Sequence, residues 1–154
     1  MALRITVDDL TGPDIAALLQ QHIDDMRATS PPESKHALDL DGLRKPNITV
    51  WTAHDGHHLV GCAALKQLDP TTAEIKSMRT AATAQRRGVA STLLRHLITE
   101  ARTRHYTHLY LETGSADYFT PARTLYQNFG FQPCPPFADY RPDPHSVHML
   151  LTLY

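Results

Sequence analysis

A chain of 154 residues has the length for one domain that buries an apolar core without disulfides or bound metal. A net charge of −1, with 20% charged and 42% hydrophobic residues, excludes bulk electrostatic attraction to nucleic acid or to an anionic membrane. No apolar run approaches the roughly 18 residues of a membrane span, and the opening MALRITVDDL lacks the apolar stretch of a signal peptide, so a cytoplasmic protein is expected.

Residues 3 to 7, LRITV, predict a short strand. Thr11-Gly12-Pro13-Asp14 then opens a helix in which Ile15, Leu18, Leu19, His22, Ile23 and Met26 recur at helical spacing. TSPPES ends it, and residues 33 to 44 predict a second, less regular helical piece closed by Asp41-Gly42. ITVWTA and HLVGCAALKQL flank an Asp-Gly turn and predict a hairpin, with TAEIKSMRT as a third strand. From Gly88 to about Arg104, the apolar residues Val89, Ala90, Leu93, Leu94, Leu97, Ile98 and Ala101 form one stripe of helical period.

HLYLET predicts a strand with Leu109 and Leu111 on one face and His108, Tyr110 and Glu112 on the other. TPARTLYQNF predicts a helix with Pro121 in its first turn and Gly130 as its stop, and SVHMLLTL a closing strand. Strand, helix and strand from residue 72 to 112 are the pattern of a right-handed crossover between parallel strands.

The densest group of the ten histidines, His54-Asp55-Gly56-His57-His58, reads as a solvated hairpin turn, since nothing nearby completes a zinc ligand set. Cys62 and Cys134 lack CxxC spacing and read as reduced thiols. No metal is expected. A His-rich metal-binding module is kept as a rival class.

QRRGVA, residues 85 to 90, stands where the unpaired N–H groups of a helix start face the carboxyl end of a strand, a natural anion site. Gly88 permits close backbone approach and Arg86 and Arg87 add positive charge, although neither a Walker motif nor a dinucleotide fingerprint is present.

In this order and spacing, AEIKSMRT, QRRGVASTLLRHL, LYLETG and ARTLYQNFGF resemble the GCN5-related N-acetyltransferases (GNAT), in particular small bacterial members of the type labelled indole-3-acetate acetyltransferase. The resemblance covers residues 48 to 153 and implies a single N-acetyltransferase domain over 1–154, of the α/β (α+β) class. It implies a central mixed twisted sheet of about six to seven strands flanked by about four helices. It also implies acetyl-CoA as acetyl donor, a small-molecule amine as acceptor, and no nucleic acid or membrane partner, with homodimer formation left open. An inactive CoA-binding sensor and a protein N-acetyltransferase are the alternatives.

By the same resemblance, Gln85, Arg86, Arg87, Gly88, Val89, Ala90 and Ser91 wrap the donor's pyrophosphate, mainly through backbone N–H groups. Met78, Arg79 and Thr80 would lie along its pantetheine arm and thioester. Phe119 stands where many members have a pantetheine-binding asparagine, so Arg123 is expected to supply a contact there.

Transfer needs a base for the amine and a donor for the departing thiolate. Tyr126 matches the family tyrosine beside the CoA sulfur. Glu74, fourteen residues before Gly88, is the expected base, with Lys76 on its face opposing that role; Glu112 is the second candidate or an amine ligand. Arg79, opposite Glu74 or displaced by a bulge, could hold an acceptor carboxylate, as could Arg44, Lys45 or Arg141, while Trp51 and Tyr140 could line a pocket, although Trp51 within its strand reads first as core.

Overall fold

The computed structural model describes residues 2–29 and 38–154. In chain order the elements are β1 (Arg4–Val7), α1 (Pro13–Thr29), α2 (Leu40–Leu43), β2 (Ile48–Asp55), β3 (His58–Asp69), β4 (Thr72–Thr80), α3 (Val89–Thr103), β5 (His108–Gly114), α4 (Thr120–Asn128), β6 (Gln132–Pro133) and β7 (Ser146–Thr152). Among the described residues the strands form one seven-stranded sheet in the order β1-β2-β3-β4-β5-β7-β6, flanked by four helices. β4 and β5 run parallel, joined by α3, while the other neighbouring strands pair antiparallel. This is the crossover that the sequence predicts, within the mixed sheet that the resemblance implies.

Each face of the sheet is closed by its own helices. The stripe Val89, Leu93, Leu94, Leu97, Ile98 and Ala101 of α3 is buried against Ala73, Ile75, Leu109 and Leu111. Ile15, Leu18 and Leu19 of α1 pack with Leu43, Val50, Cys62 and Ala64 on the opposite face. Burying leucines of this kind contributes about 1.5–3 kcal/mol each, which makes α3 the best-anchored helix of the fold. Its first turn lies directly on β3: a Cβ added at Gly61 would stand 2.8 Å from Val89 Cγ1. Among the described residues no helix is long and apolar enough to cross a membrane.

Local signals account for the ends of the elements. Pro13 begins α1, Pro121 lies in the first turn of α4, and Gly56 adopts φ 60° in the Asp-Gly hairpin turn. Gly130, at φ 98°, follows α4, and Phe131 N–H reaches back to the Tyr126 carbonyl at 3.1 Å.

Two features depart from the sequence reading. Asp41-Gly42 does not close a helical piece but lies inside α2, because the Asp39 carboxylate caps that turn by accepting from Gly42 N–H at 2.9 Å. The rest of the helical piece expected over 33 to 44 lies largely outside the described residues. β6 has no counterpart in the sequence reading, since two residues carry no periodicity; it is defined only by pairing with β7. Trp51 is core, as expected of a tryptophan within a strand: it is 3% exposed, with the guanidinium of Arg104 above its ring.

Candidate active site

β4 and β5 pair only from Thr72 to Ile75 and from His108 to Leu111. Beyond those residues both strands continue without pairing to each other, so the sheet forks and its backbone groups face a gap. A bulge in β4 shapes one side of the fork. Lys76 pairs with Ala64 but Arg79 pairs with Cys62, so Ser77 and Met78 together stand opposite Ala63, with Ser77 at φ 53°. The fork opens into a cavity of about 450 Å3 lined by β4, β5, α1 and α4.

The α3 start borders this cavity. Gly88 is its N-cap in the left-handed conformation, at φ 79°, and no side chain caps the helix. The first backbone N–H groups of α3 therefore remain for an external acceptor. Arg86 is also left-handed, at φ 65°, giving the loop an anion-cradling backbone. Gln85, Arg86 and Ala90 line the cavity, whereas Arg87 and Gly88 are exposed at its rim and Ser91 is half-buried. The Val89 side chain is core, 1% exposed, so only its main chain can meet a ligand.

Tyr126 projects from α4 to the floor of the fork, where its hydroxyl donates to Met78 Sδ at 3.8 Å. Burial first, and the Glu112 charge second, push the phenol up to about 12, which keeps it a donor across the physiological range. Phe119 forms apolar wall: its ring lies against Gly114, where any Cβ would collide with it. Arg123 does not line the cavity. It donates to the Gly114 and Ala116 carbonyls at 2.6 and 3.0 Å and to the Thr120 hydroxyl at 3.0 Å, tying the end of β5 to the start of α4.

Glu74 and Glu112 line the same cavity, but their surroundings differ. Glu74 is 2% exposed, and its Oε2 accepts from the Tyr140 hydroxyl at 2.6 Å and from Lys76 Nζ at 3.4 Å. Lys76 Nζ also donates to the Tyr140 hydroxyl at 2.9 Å, closing a three-residue network. Burial and the Glu74 carboxylate raise the Tyr140 phenol well above its ordinary value. Burial is also the main influence on Glu112, raising its carboxyl from 4.5 to about 7; the Lys76 ammonium opposes the rise and the Glu74 charge adds to it.

On the α1 side, the bulge turns Arg79 onto the Glu74 face. Its Nη2 donates to Asp25 Oδ2 at 2.6 Å, and His22 of α1 lies in the same cavity wall. Burial, then the Arg79 charge, lowers His22 to about 4, so its imidazole is neutral.

Arg44, Lys45, Arg141 and Trp51 do not reach this cavity; Arg44 instead donates to the Leu10 carbonyl at 2.9 Å. Tyr140 does reach it. The sequence reading missed His22 and Met26, which it placed only on the apolar stripe of a helix, and missed that Tyr140 engages Glu74 across 66 residues. No local signal carries that contact. Among the described residues no three His, Cys, Asp or Glu side chains are grouped to hold a metal ion.

A model of the Acetyltransferase (GNAT) family matches residues 15–131. The chain is 54% identical over 147 residues to the uncharacterized N-acetyltransferase YsnE of Bacillus subtilis, spanning 96% of this chain and 97% of that one. A Klebsiella pneumoniae crystal structure provisionally assigned as an acyl-CoA N-acyltransferase superposes with a TM-score of 0.82 at 28% identity, over 99% of this chain and 98% of that one. A GNAT family acetyltransferase from Elizabethkingia anophelis, solved with acetyl-CoA bound, shares the fold at 21% identity, with a TM-score of 0.74 over 98% of each chain. The chain belongs to the GNAT family of acetyltransferases and is an acyltransferase.

Proposed function

We propose that the protein moves the acetyl group of acetyl-CoA to the amine of a small-molecule acceptor, by direct attack with both substrates bound. The observation that carries this reading is the fork: Tyr126 rests on a sulfur at 3.8 Å, and two carboxylates line the same cavity.

The donor's chemistry fits the residues present. Open space above Gly88, where even a Cβ would meet nothing within 4 Å, and the uncapped N–H groups of α3 suit a pyrophosphate. The backbone of Met78 to Thr80 has no strand partner on its β5 side and suits an amide-bearing arm there, with Phe119 as apolar wall in place of a polar contact. The acetyl-CoA held by the Elizabethkingia protein supports the choice of donor.

The donor supplies an activated acyl group, and the protein moves protons at both ends of the transfer. As the C–N bond forms and the C–S bond breaks, the amine gives up a proton and the thiolate is stabilised by the Tyr126 hydroxyl, now turned from the Met78 thioether. Of the two carboxylates, Glu112 is the better base. It holds its proton up to about 7, close to working pH, where a base is most effective. Glu74 Oε2 is already engaged by Tyr140 and Lys76. In this reading Glu74 fixes those two side chains and its charge raises Glu112.

The test is thermal unfolding with acetyl-CoA or desulfo-CoA, followed by thiol release with a panel of amines. Ligand at a hundredfold its Kd should add about 2.7 kcal/mol, or roughly 5–10 °C for a chain of this size. No stabilisation by acetyl-CoA overturns the proposal, and stabilisation with no turnover on any amine favours the CoA-binding sensor.

A further inference from the structure

We propose that the acceptor is an amine that also carries a carboxylate, and that Arg79 and His22 receive that carboxylate; this rests on the acetyl-transfer reading and narrows its acceptor. Simple alternation would put residues 74 and 79 on opposite faces of the strand. The extra residue at the Ser77 bulge reverses this. Lys66, Ala64 and Cys62 of one β3 face stand opposite Glu74, Lys76 and Arg79, so all three point toward α1.

Arg79 is thereby buried, 7% exposed, with its Nη2 committed to Asp25 and no partner at Nε. His22 is 9% exposed, with no partner at Nδ1. Buried polar atoms are almost always paired, so two orphans in the wall of one open cavity mark where a ligand's oxygens complete them. A guanidinium has five N–H donors in a planar fork, and a carboxylate is its geometric match. Asp25 is half-exposed on the α1 side and engages one arm of that fork.

The remaining charges orient the ligand. Glu74 and Glu112 face the cavity from β4 and β5, and since the Lys76 ammonium is held against Glu74, a cationic amine would dock at Glu112 before it loses its proton. Five residue steps of extended strand separate Glu74 from Arg79, at most about 17 Å, a span on the scale of a small molecule.

The test measures thiol release by the full-length protein with L-amino acids and with glycine, β-alanine and longer ω-amino acids, each beside its carboxamide and corrected for the fraction of cationic amine, the form that docks. For the best acceptor, kcat/KM should exceed that of its carboxamide by about 10- to 100-fold, the range for a charge-assisted hydrogen bond. Arg79→Gln should collapse that ratio toward one, and His22→Asn should reduce it, chiefly through KM.

Loss of folding would lower both members of each pair together and leave the ratio intact. Because Arg79→Gln also strands Asp25, the double variant Arg79→Gln/Asp25→Asn provides a neutral pair in which the ratio should again be lost. Equal turnover of acids and amides by the wild type, or a ratio that survives in the folded variants, overturns this proposal alone. Stabilisation by acetyl-CoA with no transfer to any amine overturns the acetyl-transfer reading and this one with it.

Discussion

Glu112→Gln removes one titration from the cavity while keeping the side chain's shape. Holding a proton from 4.5 up to about 7 corresponds to about 3 kcal/mol between the two protonation states, an upper bound for a group near an open cavity. The folded value lies above the unfolded one. The stabilising contribution of protonated Glu112 is therefore complete below 4.5 and is lost as pH rises through about 7. The variant cannot ionise, so the wild type should lose stability relative to it across this window, by up to about 3 kcal/mol. Urea midpoints of both proteins between pH 4.5 and 8 measure the difference, in which titrations not coupled to Glu112 cancel. In activity, wild-type kcat/KM should rise tenfold per pH unit and level off near 7, with a second inflection at higher pH from the acceptor amine. The variant should lose the lower inflection and about 10²–10⁴-fold in rate. A stability difference that stays flat with pH, or an inflection near 7 that survives in the variant, would refute the assignment; Glu74→Gln would then be the variant that removes it.

Tyr126→Phe keeps the ring against Phe131 and removes the hydroxyl from Met78. It should lower kcat by about 10²-fold while acetyl-CoA affinity, measured by calorimetry, changes little, and an unaltered kcat would reject Tyr126 as the thiolate's partner. Gly88→Glu forces a side chain onto a φ of 79° and sets a carboxylate at the uncapped α3 terminus. The strain costs about 1–2 kcal/mol of stability unless the loop shifts, and either the shift or the carboxylate's repulsion of the pyrophosphate should raise the Kd for acetyl-CoA more than about tenfold, against a small change for the exposed Arg87→Ala. Equal losses in the two variants would mean that side-chain charge, rather than backbone N–H groups, holds the pyrophosphate.

Much of this protein is determined by features that lie within one turn or one strand. The α3 stripe, Pro13 and Pro121 at helix starts, Gly130 after α4 and the Asp-Gly hairpin are legible because each depends on the backbone preference or periodicity of adjacent residues. The order of those elements then dictates the parallel β4–α3–β5 unit and the position of QRRGVA at its crossover. The character of the side chains in the cavity was decided elsewhere. Glu74 and Glu112 look alike as letters, but a phenol 66 residues away engages one, while burial raises the other to about 7. Arg79 changes face because one extra residue enters β4 opposite Ala63, and Arg123 turns to the Gly114 carbonyl because α4 folds back on the end of β5. Chain neighbours set the course of the backbone, but a side chain's charge state and partners depend on what other elements bring within a few ångströms, and only the packed sheet and helices supply those neighbours.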